Sequence, residues 1–195
     1  MSWREQLRRI FGAPITATSP TPPDFGELRA TLQNPPSEDG WLLLTGLLDH
    51  ARSVLPPEEF EQQWVDYARD HLKTWPDSLR PCPDHWCEEL LQSQGPTTHL
   101  QLVRQITLLD KLGHKQAKMR RILACEDLAQ VTRVEVGSPE LAPQALHALL
   151  HEGPWKHLRE LQVSRVDLSE MPELLSHPRF DALEVLELHQ NELTA

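Results

Sequence analysis

The sequence predicts two folding units, an all-helical amino-terminal domain and a short domain in which strands and helices alternate. Apolar residues recur at helical spacing from about residue 24 to residue 125, and a set of apolar positions then recurs in three copies. Proline-rich stretches separate the segments. We place the units at residues 24–114 and 115–195, after an amino-terminal segment of residues 1–23.

The amino-terminal segment carries a short helical pattern followed by a linker. Residues 2–11 place Trp3, Leu7 and Ile10 on one face and arginines on another, which predicts a basic amphipathic helix. Four prolines between Gly12 and Pro23 favour an extended linker. A helix of this kind can attach to an anionic membrane, so a membrane-tethered adaptor using residues 2–11 is one alternative function.

The helical domain is predicted from periodicity and from its start and stop signals. Asn34 before Pro35 ends the first helix, Ser37 caps the second, and Pro56-Pro57 begins the third. The predicted helices span residues 25–33, 38–54, the segment from Pro56 onward, and about 84–93, 98–112 and 115–124. A stripe at steps of three or four residues is expected in the core: Phe60, Trp64, Tyr67, His71 and Trp75.

The repeat has an apolar pattern that returns after 27 and then 25 residues. Its strand positions alternate with period two, as in strands that face a core on one side. The three copies are Val131-x-x-Val134-x-Val136, Leu158-x-x-Leu161-x-Val163 and Leu183-x-x-Leu186-x-Leu188. Helical spacing follows at residues 143–150 and 170–176.

This pattern resembles the leucine-rich-repeat superfamily over about 75 residues, and its repeat length is similar to the ribonuclease-inhibitor type. The resemblance implies a solenoid with parallel strands on the concave face and helices on the convex face. The family's asparagine is present only as Asn191, with Pro139 and Val166 at the matching places. The stretch from Leu28-Arg29-Ala30 through Asn34-Pro35 to Leu47-Leu48-Asp49 resembles a helical companion module that precedes such repeats in some bacterial proteins.

The strand residues between the core positions should point away from the core and form a polar, mildly acidic surface. The candidate partner-binding residues are Arg133, Glu135, Glu160, Gln162, Arg165, Glu187, His189 and Gln190. A protein partner with a basic or amide-rich surface is the expectation. The leading function is therefore protein recognition or scaffolding rather than an enzyme activity.

A competing class is a metal-binding protein or metal-dependent enzyme that uses Cys82, His85 and Cys87. Two sulfurs and an imidazole are zinc ligands, yet a fourth would have to come from Cys125 or His71. Their spacing fits no common closed site, so we assign no metal residues. No phosphate-binding glycine loop, nucleophile elbow or dinucleotide fingerprint occurs, and we predict no catalytic residue and no cofactor.

Charge and composition narrow the class of partner. The formal net charge is −10, and residues 126–195 carry 13 acidic against 5 basic residues, which makes nucleic acid a poor partner. No apolar run is long enough for an integral membrane segment. The first residues lack the features of a signal peptide, and three cysteines suit a reducing compartment, so a cytoplasmic location is expected.

The sequence ends at Ala195, directly after the third predicted strand. A solenoid normally closes with a polar cap, and here Leu186, Leu188 and Leu193 would lack one. We therefore expect either a longer repeat protein or self-association through this end.

Overall fold

The computed structural model describes residues 23–92, 97–108, 121–137, 146–147, 149, 153–164 and 177–189. It combines helices with a small parallel sheet of four strands. The α-helices are α1 (Phe25–Gln33), α2 (Glu38–Val54), α3 (Pro57–Glu59), α4 (Asp66–His71), α5 (Asp84–Gln92) and α6 (Pro178–Asp181). The strands are β1 (Gln105–Leu108), β2 (Arg133–Val136), β3 (Glu160–Ser164) and β4 (Val185–His189).

The first two helices begin where the sequence predicts and for the expected reason. The Asp24 carboxylate accepts a hydrogen bond from Gly26 N, and the Ser37 hydroxyl accepts one from Gly40 N. Such side-chain acceptors satisfy amide groups that the first turn leaves without partners. Both predicted helices, 25–33 and 38–54, are confirmed at these bounds.

The third helical segment is irregular, and this irregularity changes which residues are buried. A π-helix covers Phe60–Val65 between α3 and α4, and a 3₁₀ turn follows at Leu72–Thr74. The wider π turn rotates the later residues, so Ala68 and Leu72 enter the core. The predicted core stripe is correct for Phe60, Trp64 and Trp75, but Tyr67 and His71 are only half-buried.

The prediction of a helix over residues 98–112 is wrong. Residues Thr98–Leu102 form a short 3₁₀ helix, and β1 follows directly. Ile106 and Leu108 are buried, and β1 pairs in parallel with β2, so tertiary pairing decides the conformation. The sheet therefore begins within the segment that the sequence placed in the helical domain.

The four strands lie side by side in chain order, and all neighbouring pairs are parallel. The predicted strands around Val134, Leu161 and Leu186 are confirmed as β2, β3 and β4. Ile106 in β1 pairs with Val134, 28 residues later, and Val134 pairs with Leu161. In β1, β2 and β3, every second side chain is therefore buried in the core.

The same pair of backbone hydrogen bonds recurs before every strand. In each case two consecutive amides donate to one carbonyl of the preceding segment. The carbonyls belong to Arg80, Arg104, Thr132 and Arg159, and the donor pairs begin at Arg104, Thr132, Arg159 and Glu184. This chain of contacts sets the register of the sheet.

Several predicted features lie outside the described residues. These are the amphipathic helix and linker of residues 1–22, the helix at 170–176, residues 115–120 and the carboxy-terminal end after residue 189. Residues 121–123 are helical, as predicted for the segment at 115–124.

Candidate functional site: the exposed face of the parallel sheet

The second face of the sheet carries two rows of side chains across the strands, and all of them are polar except Val185. The first row runs from Gln105 through Arg133 and Glu160 to Val185, and the second runs from Thr107 through Glu135 and Gln162 to Glu187. We call these eight residues the sheet face. Because parallel strands keep side chains of one row directly adjacent, the seven polar residues form one surface, with Val185 at its β4 end.

Arg133 links the middle strands of the sheet face. Its Nη1 donates to the Glu160 carboxylate at 3.4 Å, and its Nη2 donates to Gln162 Oε1 at 3.0 Å. The Arg133 and Glu160 side chains remain 37% and 44% exposed, so a partner can reach both. The guanidinium is thus held in one orientation while its outer edge stays open to solvent.

The contact between Thr107 and Glu135 is weaker than the contacts of Arg133. The Thr107 hydroxyl donates to a Glu135 carboxylate oxygen at 3.5 Å, the long limit of a hydrogen bond. Glu187 is exposed on β4. With three carboxylates against one guanidinium, the described face carries a net negative charge.

The structure brings together most of the residues predicted from the sequence. Arg133, Glu135, Glu160, Gln162 and Glu187 all lie on the sheet face. His189 ends β4, where only its backbone is described, and Arg165 and Gln190 lie outside the described residues.

Sequence reasoning missed Gln105 and Thr107, which β1 adds to the sheet face. A signal for them was present. Val103, Ile106 and Leu108 repeat the spacing of Val131, Val134 and Val136 one copy earlier. Recognition of that copy would have placed both residues on the face.

A second polar cluster, which we call the Asp49 cluster, joins α2 to α5. Asp49 Oδ2 lies 2.6 Å from His85 Nε2, and Asp49 Oδ1 accepts a hydrogen bond of 2.7 Å from Trp86 Nε1. Arg52 donates to Asp49 at 3.4 Å and also pairs with Glu89. The hydrogen bond to Asp49 raises the pKa of His85, against an opposing effect of burial.

His99 contacts the Asp49 cluster through Arg52. Arg52 Nη1 lies 3.0 Å from His99 Nε2, and since a guanidinium can only donate, the His99 nitrogen accepts and the ring is neutral. Burial, and secondly the nearby Arg52 charge, lower the pKa of His99 to about 3. His99 Nδ1 is buried with no hydrogen-bond partner among the described residues.

The Asp49 cluster positions helices rather than offering an open site. Both oxygens of Asp49 are occupied by groups from α2 and α5, and Trp86 is almost fully buried. These contacts fix α5 against α2. No spacing rule connects Asp49 with His85 and Trp86 in the sequence, so the cluster could not be foreseen from it.

The alternative metal site is not assembled in the described part of the chain. His85 turns toward Asp49, while the sulfurs of Cys82 and Cys87 face each other. Among the described residues, no group of three or more histidine, cysteine or acidic side chains has the geometry to hold a metal ion.

Within the described ranges, each helix is too short or too polar to cross a membrane.

Comparison of the chain with known protein families, with characterised proteins and with solved structures gave no match. The sheet face and the Asp49 cluster are therefore interpreted from their own geometry.

Proposed function

We propose that this protein is a recognition or scaffolding module that binds a protein partner through the sheet face. The observation that carries this proposal is the largely polar surface that the sheet face presents across four strands in register. Its central groups are held by cross-strand hydrogen bonds from Arg133. Preorganised side chains lose little conformational freedom on binding, which favours affinity.

We also propose that the repeat belongs to the leucine-rich-repeat type. Support comes from the recurrence of the apolar spacing and of the same two backbone hydrogen bonds before each strand. A repeat of this type builds its surface from equivalent positions of successive copies, which suits an extended partner.

The partner should present basic or amide groups to the sheet face. Glu135, Glu160 and Glu187 carry three negative charges, and the charge of Arg133, which is held by Glu160 and Gln162, offsets only one of them. Electrostatic complementarity of this kind steers encounter and fixes orientation. A segment rich in lysine or arginine fits best.

Site-specific photo-crosslinking tests the location of the surface. A photoreactive amino acid replaces Gln162 at the centre of the face, and in the matched control it replaces Gln62, an exposed glutamine of the π-helix. Cells that express the chain should yield a discrete adduct at position 162 and none at position 62. Adducts at position 62 alone would move the binding surface to the helices.

Charge reversal then tests the chemistry with the crosslinked partner. Glu135→Lys and Glu187→Lys should each weaken binding by about tenfold, equal to about 1.4 kcal/mol. Glu61→Lys, at an exposed position of the π-helix, is the control and should leave affinity unchanged. Equal affinities for all three variants would refute an acidic binding face.

A further inference from the structure

Two of the three cysteines lie in direct contact at the junction between α5 and the sheet. Cys82 Sγ is 3.3 Å from Cys87 Sγ, and both are free thiols. A disulfide needs the two sulfurs at about 2.05 Å, so a displacement of roughly 1.3 Å closes the bond. Small rotations of the two side chains about their Cα–Cβ bonds can supply much of this displacement.

The backbone holds the two cysteines in this arrangement. Cys82 N donates to the carbonyl of Gln105 at 2.8 Å, and Pro81 forms a parallel bridge to the same residue. Trp86 N and Cys87 N both donate to the carbonyl of Pro83, which turns the chain into α5. Cys82 is therefore fixed to the edge of the sheet and Cys87 to the first turns of α5.

We propose that Cys82 and Cys87 form a thiol–disulfide redox site that closes under peroxide or disulfide oxidants. With hydrogen peroxide, the Cys82 thiolate attacks one oxygen, which gives a sulfenic acid at Cys82 and releases hydroxide, protonated to water. Cys87 then attacks the Cys82 sulfur, its thiol proton and the departing hydroxyl leave as a second water, and the S–S bond forms. The two thiols are oxidised by two electrons, and one peroxide is reduced to two waters.

The environment sets the order and the speed of these steps. Cys82 is partly exposed as a residue, although its thiol is largely buried, and Cys87 is buried, so Cys82 is the more accessible of the two to an oxidant. The hydrogen bond with Cys87, and secondly burial, raise the pKa of the Cys82 thiol. Because the thiolate is the nucleophile, oxidation at neutral pH is slow and becomes faster as the pH rises.

Cys125 provides an internal comparison. Its thiol takes part in hydrogen bonds with Thr97 and the backbones of Asp127 and Leu128, and burial raises its pKa. It is partly exposed, as Cys82 is, but its hydrogen-bonding groups are not cysteines. Oxidation should therefore leave Cys125 as a thiol under conditions that close the Cys82–Cys87 pair.

The experiment uses the full chain, reduced and then exposed to hydrogen peroxide or oxidised glutathione before alkylation and tryptic digestion. Both cysteines of the pair fall in the peptide of residues 74–104, since trypsin does not cut between Arg80 and Pro81. This peptide should escape alkylation and be lighter by two hydrogen atoms, while Cys125 is alkylated. The rate should rise about tenfold from pH 7 to pH 8, and a dithiol reductant should restore both thiols.

Three variants complete the test. Cys125→Ser should close the disulfide as the wild type does, while Cys82→Ser and Cys87→Ser should not form an intrachain bond. The wild-type peptide alone decides the matter if a variant fails to fold. The proposal is overturned if Cys82 and Cys87 stay alkylatable after oxidation. A sulfinic acid at Cys82 beside an intact Cys87 thiol, or a disulfide with Cys125 or with another chain, would overturn it equally.

Discussion

The chemistry of the buried Arg80 side chain depends on the fold around it. Arg80 is almost fully buried, and its guanidinium donates to the carbonyls of Leu102 and Leu72. Burial, and secondly the nearby Arg104 charge, lower the pKa of Arg80 to about 10, so it remains charged at neutral pH. The sequence marks Arg80 only as a basic residue before a proline, because its acceptors lie 8 and 22 residues away.

The pair of His85 and Asp49 predicts a loss of stability at alkaline pH. The folded pKa of His85 is raised above the unfolded value of 6.5, so its stabilising effect is complete below pH 6.5 and is lost as the pH rises through the folded pKa. The free energy of unfolding should decrease over this window by at most about 1.4 kcal/mol per pH unit. Urea denaturation at a series of pH values measures it.

Two variants isolate this contribution. Asp49→Asn removes the charge that favours protonated His85, and His85→Gln removes the titrating group. Each variant should flatten the decrease in stability that the wild type shows as the pH rises above 6.5. An unchanged slope in both variants would mean that another group produces the decrease.

Gly153 is required by the close approach of Trp155. A Cβ at this position would lie 2.0 Å from ring atoms of Trp155 and 2.8 Å from the carbonyl of Leu123, to which Trp155 Nε1 donates. Gly153→Ala should therefore displace the buried ring and lower the free energy of unfolding by roughly 1–3 kcal/mol. Urea midpoints measured by circular dichroism test this expectation.

Gly46 supplies the control for this substitution. It lies inside α2, and a Cβ there would meet nothing within 4 Å. Gly46→Ala should raise stability by roughly 0.5–1 kcal/mol, because alanine loses less backbone entropy in a helix. Similar effects of the two substitutions would show that the contact with Trp155 is not decisive.

Among the helices and strands, the sequence predicts those that carry a periodic pattern and misses those whose conformation depends on pairing with a distant segment. Ser37 and the apolar spacing specify α2, and alternation specifies β2, β3 and β4. The prediction of a helix where β1 lies is wrong, because four residues beside a 3₁₀ turn carry little local pattern and their repeat spacing is visible only by comparison with β2. Five of the eight predicted site residues lie on the sheet face, since alternation alone fixes which side of a strand they occupy.

The strands should contribute unequally to stability, because β3 lies between two strands, whereas β4 has a neighbouring strand on one side only in the part of the chain that the structure describes. Leu161 is 1% exposed, while its partner in register, Leu186, is 41% exposed. Leu161→Ala should cost roughly 2–5 kcal/mol, and Leu186→Ala, which removes few buried contacts, clearly less. Equal losses in chemical denaturation would place β4 as deep in the core as β3.

At the scale of the whole molecule, one hydrophobic cluster extends from the first helices into the sheet. It includes Leu28 of α1, Trp86 of α5 and Leu161 of β3, and Ile106 and Leu108 of β1 join the two regions. The sequence placed a domain boundary between residues 114 and 115, after β1 and before its partner β2. A chain divided there would separate two paired strands, so we expect the helices and the sheet to unfold together.

Fluorine labelling of the tryptophans tests this cooperativity. Trp41, Trp64, Trp75 and Trp86 report on the helices, and Trp155 reports on the sheet region, where its indole binds the Leu123 carbonyl. With 5-fluorotryptophan incorporated, the native resonance of each should disappear at one urea midpoint, and Leu161→Ala should lower all five midpoints equally. If Trp155 lost its native resonance at a lower urea concentration than Trp86, the sheet would be a separate unit. In that case the shared core around β1 would contribute little to the stability of either part.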